Sequence, residues 1–195
     1  EWGRKRLVNQ STCNKDYSCV KGFCPSFVTV HGGDVRKPEK VDGGDIFGHL
    51  PEPQVPELNE DYNILVTGIG GTGVLTIGAI LGMAAHLEGH ASRMADMTGL
   101  AQKGGAVLSH VRVAPTAEHL RSPKIVTGGA DLLLACDSIV AAGQAAVDLL
   151  HKEKSAAVVN SHVTPVADFV RNRNIDFRER QIERSIRGTT LHDKT

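Results

Sequence analysis

The sequence predicts an α/β domain of three layers built on a mostly parallel sheet, and three observations carry that prediction. The stretch NILVTG runs directly into a glycine turn and then an apolar helix. Short apolar runs alternate with helical patterns from Tyr62 onward, the order that produces βαβ units. The apolar fraction is 41% over 195 residues, enough for one real core plus an appendage.

Taken in order, NILVTG is the first strand, and GTGVLTIGAILGMAAHLEG is a helix closed by Gly89. HASRMAD is a second, short strand. AVLSHVRV alternates, with Val107, Ser109, Val111 and Val113 on one face and Leu108, His110 and Arg112 on the other, as a half-buried strand requires. DLLLACD is a continuous apolar run typical of a central parallel strand. SIVAAGQAAVDLLHKEK supplies the helix that returns over it, and AAVVN is another buried strand. In the tail, NIDFRERQIERSIRG places Ile182 and Ile186 four apart, the pattern of a weakly amphipathic helix or of a mobile charged segment.

Composition sets three regions. Residues 1–35 hold a cysteine cluster and a short strand-forming run, SFVTV. Residues 36–61 carry Pro38, Pro51, Pro53 and Pro56 and read as a semi-rigid linker. Residues 62–195 are the α/β domain, incomplete at its C-terminal end. Lys plus Arg and Asp plus Glu each total 22, so no global basic field exists to hold nucleic acid. The longest apolar run, Val74 to Leu87, is shorter than the roughly 20 residues of a bilayer span, so no membrane segment is expected. The chain opens EWGRKRLVNQ, with neither an initiator Met nor a signal sequence, and ends HDKT. Both ends read as cut, so the expectation is a piece of a longer cytoplasmic polypeptide.

The glycine turn, GIGGTG, spans Gly68 to Gly73 in strand-turn-helix context and gives the domain its Rossmann-like reading. Gly68, Gly70, Gly71 and Gly73 permit a tight turn and close approach of a phosphate oxygen, and the helix N-terminus adds unpaired N–H groups. Thr72 is expected to contribute its hydroxyl or to cap the helix. The competing reading is a turn that only allows close packing. For NAD, an acidic residue should end the second strand about 20 residues on, a place that Asp96 fills. A second glycine loop, MTGLAQKGG, follows, in which Lys103 with Gly104 and Gly105 reaches a phosphate from the opposite side or is an ordinary solvated lysine.

Cys13, Cys19 and Cys24 are three of the four cysteines, and Pro25 follows the last. A disulfide framework, a structural zinc site, an iron-sulfur cluster and thiols that bind nothing all remain open. An odd local count argues against disulfides, and the absence of a CxxC knuckle argues against zinc. A Cys-Pro end and loose spacing suit a cluster best. A 4Fe-4S cluster needs a fourth ligand, and neither Asp16 nor His31 is selected by spacing. Cys136, inside DLLLACD, reads as a buried structural thiol.

Two stretches together resemble a known family. GIGGTGVLTIGAILGMAAHLEG followed by ADMTGLAQKGGAVLSHVRV is similar to the gamma-type domain of the indolepyruvate ferredoxin oxidoreductases, among the thiamine-diphosphate-dependent 2-oxoacid:ferredoxin oxidoreductases. NQSTCNKDYSCVKGFCPSFVTV resembles the cysteine segment that long, fused bacterial members carry before that domain. The resemblance implies oxidative decarboxylation of a 2-oxoacid, with CoA accepting the acyl group and electrons leaving through iron-sulfur clusters to ferredoxin. It implies a 4Fe-4S cluster on Cys13, Cys19 and Cys24, and CoA facing Gly68, Gly70, Gly71, Thr72 and Gly73. Gln102, Lys103 and Gly104 would lie on a loop facing the thiamine domain's active site, the first two as active-site contacts. Implied partners are a thiamine-diphosphate domain of the same polypeptide or a partner subunit, ferredoxin, and further copies in a homo-oligomer. The chain contains no GDG...N segment to hold Mg²⁺ and thiamine diphosphate, so those cofactors belong to absent domains and the chain alone is expected to be inactive.

Overall fold

The computed structural model describes residues 57–99, 105–161, 163 and 176–191, with 16–17, 21–22, 31–32, 50–52 and 54–55. Two compact units divide the chain, Arg6–Glu57 and one containing Leu58–Thr195, and the sheet and helices belong to the second. Cys13, Cys19, Cys24 and the SFVTV run lie outside the described residues, as do Gln102, Lys103 and Gly104.

Among the described residues five strands form one sheet: β1 Tyr62–Ile69, β2 Ala91–Thr98, β3 Ala106–Ala114, β4 Leu132–Ala135 and β5 Ala156–Val159, in the order β2-β3-β1-β4-β5. β1 pairs parallel to β4, and β4 parallel to β5, while β3 runs antiparallel to both β1 and β2. Four strands therefore point one way and β3 alone opposes them, so the sheet is mostly parallel. The seven-residue connection from β2 to β3 explains the exception, because a parallel crossover needs a dozen or more residues.

The two faces bury separate cores, giving three layers. Helix α1, Val74–Leu87, covers one face, where Val74 packs with Val66, Val107 and Val111. The other face carries Leu65, Leu108 and Leu133, covered by Ala141, Ala146, Leu150 and Ile186. Alternation along the strands causes this split: Leu65 and Val66, like Leu133 and Leu134, point to opposite cores.

Two sequence expectations need correction. The helix read across SIVAAGQAAVDLLHKEK is instead two short helices, α2 Ser138–Ala141 and α3 Gln144–Val147. Gly143 between them is extended, with φ −67° and ψ 145°, so the helical path breaks where the residue with least helix propensity sits. β5 is not a buried strand but a sheet edge, with Ala156 and Val158 exposed and only Ala157 and Val159 half-buried. The charged tail does form a helix, α4 Glu179–Thr189, that buries Ile186 and half-buries Ile182 against the core. No described helix is long and apolar enough to cross a membrane.

A polar clasp ties β1 to its surroundings at the end remote from the glycine turn. Arg112 donates from Nε to Asn63 Oδ1 (2.7 Å), from Nη1 to Ser122 O (2.6 Å), and from Nη2 to Asp61. The Asn63 N–H donates to Asp131 Oδ2 at 2.8 Å, and Lys154 Nζ lies 3.0 Å from Asp131 Oδ1. Burial raises the Asp61 pKa, but hydrogen bonds from Arg112 and Asn63 outweigh it and hold the carboxyl below its ordinary value.

Candidate functional site

The carboxyl ends of β1 and β4 lie side by side, and the chain leaves them in opposite directions. From β1 it turns into α1 on one face, and from β4 into α2 on the other. Such a reversal opens a crevice, the place where parallel α/β sheets bind ligands.

The glycine turn forms one wall. Gly71 and Gly73 have φ of +97° and +87°, in the left-handed region, and a Cβ at either would meet nothing within 4 Å. Among the described residues, therefore, open space lies over the turn. Gly73 is the N-cap of α1, with no side-chain cap and no acidic residue in the first turn. Thr72 is thus not the cap that the sequence suggested. Its hydroxyl instead donates back to Ile69 O at 2.7 Å, and its N–H to the same oxygen at 3.0 Å. Thr72 and Gly70 spend their N–H groups within the protein, whereas those of Gly71 and Gly73 have no acceptor among the described residues. An uncapped helix of 14 residues with free donors and clear space fits an anionic, phosphate-bearing group.

Gly68 acts differently, by close approach. A Cβ there would fall on Thr72 Oγ1, 2.7 Å from Val74 Cγ2 and 2.9 Å from Cys136 Cβ. The turn and the end of β4 can meet only because this residue has no side chain.

The second glycine loop is fastened to the turn at its end. The Gly70 N–H donates to Gly105 O at 2.9 Å, and the Gly99 N–H to Ala106 O at 3.2 Å. The chain therefore leaves for Gln102, Lys103 and Gly104 beside the turn and returns onto it, although those three residues themselves lie outside the described ones.

The opposite wall is Cys136–Asp137–Ser138, of which sequence reasoning singled out only Cys136, as a structural thiol, and passed over Asp137 and Ser138. Asp137 is fully buried and caps α2: its Oδ1 accepts from Ile139 N and Val140 N, both at 2.9 Å. Asp137 Oδ2 and the neighbouring Thr67 Oγ1 are buried without a hydrogen-bond partner. The signal available in the sequence was Asp directly before SIVA, a helix-capping pattern. Cys136 is half-buried and unbridged. Burial pushes its thiol above the ordinary value, the Thr72 hydroxyl works against that, and the Asp137 carboxylate adds to it. The protonated thiol is therefore the favoured form at neutral pH. Asn160 closes the end of β5, its Nδ2 donating to Cys136 O at 3.2 Å.

The acid expected for NAD is out of place. Asp96 pairs with Ser109, which in turn pairs with Val66, so β3 separates it from β1 by about 10 Å of sheet. This topology does not favour a nicotinamide dinucleotide. A cavity of about 500 Å³ lies apart from the turn, between β5 and α4, lined by Val159, Ile182 and Ile186 with Glu183 and Arg187. Glu183 and Arg187 pair with each other at 3.0 Å. Among the described residues no group of His, Cys, Asp or Glu comes together to hold a metal ion.

Fold and crevice together define a three-layer α/β domain with a glycine turn and an uncapped helix N-terminus at its switch point. The family described as "Pyruvate ferredoxin/flavodoxin oxidoreductase" matches residues 63–187, more than half of the chain, and the chain belongs to that family. It is similar to the indolepyruvate oxidoreductase subunit IorB of Thermococcus kodakarensis, 34% identical over 82 residues, or 42% of this chain and 39% of that protein. The IorB subunit of Archaeoglobus fulgidus is 41% identical over 75 residues, covering 38% and 35%. That of Methanothermobacter thermautotrophicus is 32% identical over 114 residues, covering 57% and 54%. The chain thus spans about half or less of the length of these curated relatives. Among solved structures, it is similar to the pyruvate oxidoreductase subunit PORC of Thermotoga maritima, with TM-score 0.40 and 18% identity over 58% of this chain and 56% of that one. The gamma subunit of the keto/oxoacid ferredoxin oxidoreductase of Geobacter sulfurreducens gives 0.39 and 23%, over 57% and 66%.

Proposed function

We propose that this chain is the gamma-type part of a thiamine-diphosphate-dependent 2-oxoacid:ferredoxin oxidoreductase of the indolepyruvate type. The assembled enzyme decarboxylates a 2-oxoacid oxidatively, gives the acyl group to CoA and passes electrons through iron-sulfur clusters to ferredoxin. Thiamine diphosphate, held by domains other than this one, supplies the carbon chemistry. The role of this domain is to bind and orient. Gly71 and Gly73 offer their N–H groups to a CoA phosphate at the N-terminus of α1, and Lys103 adds a positive charge from the neighbouring loop. Gln102 and Gly104 complete the surface presented to the thiamine domain. Cys13, Cys19 and Cys24 supply three thiolates to a 4Fe-4S cluster whose fourth ligand comes from elsewhere.

One observation carries the reading of the turn: the 2.9 Å bond from the Gly70 N–H to Gly105 O. It couples the phosphate-type turn to the very loop that distinguishes this family from a plain dinucleotide fold. Calorimetry on the chain with CoA and with NADH tests it. CoA binding that weakens about tenfold in Lys103→Ala, the loss of one charge-assisted contact, is expected. NADH binding in place of CoA, or CoA binding indifferent to Lys103→Ala and Gly71→Asp, refutes it. The cluster is tested separately by anaerobic reconstitution, which should give absorbance near about 400 nm that dithionite bleaches. A colourless, iron-free protein refutes that assignment.

A further inference from the structure

The two walls of the crevice are joined, because one side chain from each meets over Gly68. Ile69 to Thr72 is a closed turn: the Thr72 N–H donates to Ile69 O at 3.0 Å and the Thr72 hydroxyl to the same oxygen at 2.7 Å. That commits the one hydrogen of the hydroxyl and leaves only its lone pairs. The Cys136 side chain, at the end of β4, hydrogen-bonds the same hydroxyl, so in the protonated state the thiol is the donor. The result is a short relay from the Cys136 thiol to the Thr72 hydroxyl to the Ile69 carbonyl.

Cys136 is a fixed post for this relay. Its N–H donates to Thr67 O at 2.8 Å, and its carbonyl accepts from Asn160 Nδ2 at 3.2 Å. The turn, by contrast, has little of its own to hold it, since Gly70, Gly71 and Gly73 supply no side chains and glycine is the residue with most backbone freedom to lose. Gly71 and Gly73, whose N–H groups have no acceptor among the described residues, flank Thr72 in the chain. Fixing Thr72 therefore fixes the direction of both donors, and ordering a site in advance reduces what a ligand loses on binding.

We propose that the Cys136–Thr72 pair pre-organises the glycine turn for its anion, and that capping the Cys136 thiol switches the site off. This rests on the reading of the turn as a phosphate site and adds its regulation.

The capping group is a soft electrophile, for which an activated C=C is the simplest case. The sulfur adds to one alkene carbon, the C=C becomes a single bond, and the thiol proton ends on the other carbon, so no oxidant enters. The S–H donor to Thr72 is then gone. Nor is there room for the adduct beside Gly68, where Thr72 Oγ1 stands with Val74 Cγ2 and Cys136 Cβ only 2.7 and 2.9 Å from where a Cβ would be. It either pushes Thr72 aside or projects into the crevice, and both displace the anion. Cys136 is half-buried and unbridged, so a small reagent reaches it. Burial holds the thiol above its ordinary value, so capping is slow at neutral pH and quickens as pH rises.

The test uses the full chain, with CoA as the probe in calorimetry and hydrogen exchange at the amides of residues 70 and 72 without ligand. Cys136→Ala should weaken CoA about threefold, the loss of one weak neutral hydrogen bond, and speed exchange at both amides. Cys136→Ser keeps a donor and should rescue both readouts, which filling the same space alone would not require. Thr72→Val should weaken CoA about tenfold, and adding Cys136→Ala to it should cost nothing more, because the thiol acts through the hydroxyl. Treatment with N-ethylmaleimide should abolish CoA binding by the wild type and spare Cys136→Ser, although the other cysteines react in both. Strictly additive losses, a Ser variant no better than Ala, or equal sensitivity of the two proteins to maleimide overturns the proposal. If the wild type binds no CoA, the phosphate reading of the turn falls. The amides then decide the pair by themselves: exchange unchanged in both Cys136→Ala and Thr72→Val overturns it.

Discussion

The seating of α1 decides where the glycine turn sits, and a two-residue perturbation measures it. Gly78 faces β3 from the buried side of the helix, where a Cβ would stand 2.5 Å from Ser109 Oγ, 3.4 Å from Ser109 Cβ and 3.6 Å from Val111 Cγ2. Gly78→Ala gains about 1 kcal/mol of helix propensity. It also overpacks the contact with the Ser109 hydroxyl, at a cost of about 1–3 kcal/mol. The single change should therefore destabilise by about 1 kcal/mol.

Ser109 Oγ is buried without a partner, so Ser109→Ala removes an unsatisfied group worth about 1 kcal/mol or more and should be neutral to stabilising. In the double variant the nearest contact becomes the 3.4 Å one to the residue 109 Cβ, and the helix gain is kept. It should exceed the wild type by about 1–2 kcal/mol, with a coupling of about 2 kcal/mol between the sites. Urea unfolding of the four proteins reads this as shifts of the midpoint at constant slope. If Gly78→Ala alone stabilises and the effects simply add, α1 is not held against Ser109 and the position of the turn must be set by something else.

Three further outcomes follow from the clasp, the buried histidine and the cap. Arg112→Met leaves Asn63 and Asp61 without their shared donor and should cost about 2–4 kcal/mol, read as a lowered thermal midpoint. His110 is 3% exposed; its Nδ1 accepts from Ile125 N at 3.2 Å and its Nε2 has no partner. Burial, helped by Lys124 and opposed by Asp96, holds its pKa below 6.5. Stability from this group is therefore complete above pH 6.5 and falls as pH drops below it, because the unfolded chain takes up a proton that the folded one refuses. His110→Leu should flatten the urea midpoint between about pH 6.5 and 5, and an unchanged slope would remove His110 as the cause. Asp137→Ala should cost about 1 kcal/mol by uncapping α2, and Asp137→Asn should restore most of it in the same unfolding assay.

How much of this was legible in the sequence depends on whether the information is local. AVLSHVRV could be assigned face by face because alternation is a property of one strand: Ser109 does point at α1, and Leu108 and His110 into the other core. The glycine turn was legible for the same reason. The clasp of Asp61, Asn63 and Arg112 was not, since its members are brought together by pairing of strands distant in the chain. Nor was the break at Gly143, where apolar residues continue on both sides and only backbone geometry departs. Asp96 is the instructive case, because there the decisive signal was local and went unused. Its spacing from the turn suits a ribose acid, but that inference assumes that β2 lies next to β1. The connection from β2 to β3 is too short for a crossover, so β3 had to be the antiparallel neighbour of β2. β1 then pairs with β3, and the acid stands two strands away from the turn. Loop length therefore carries more about the ligand than the count of residues to the nearest aspartate.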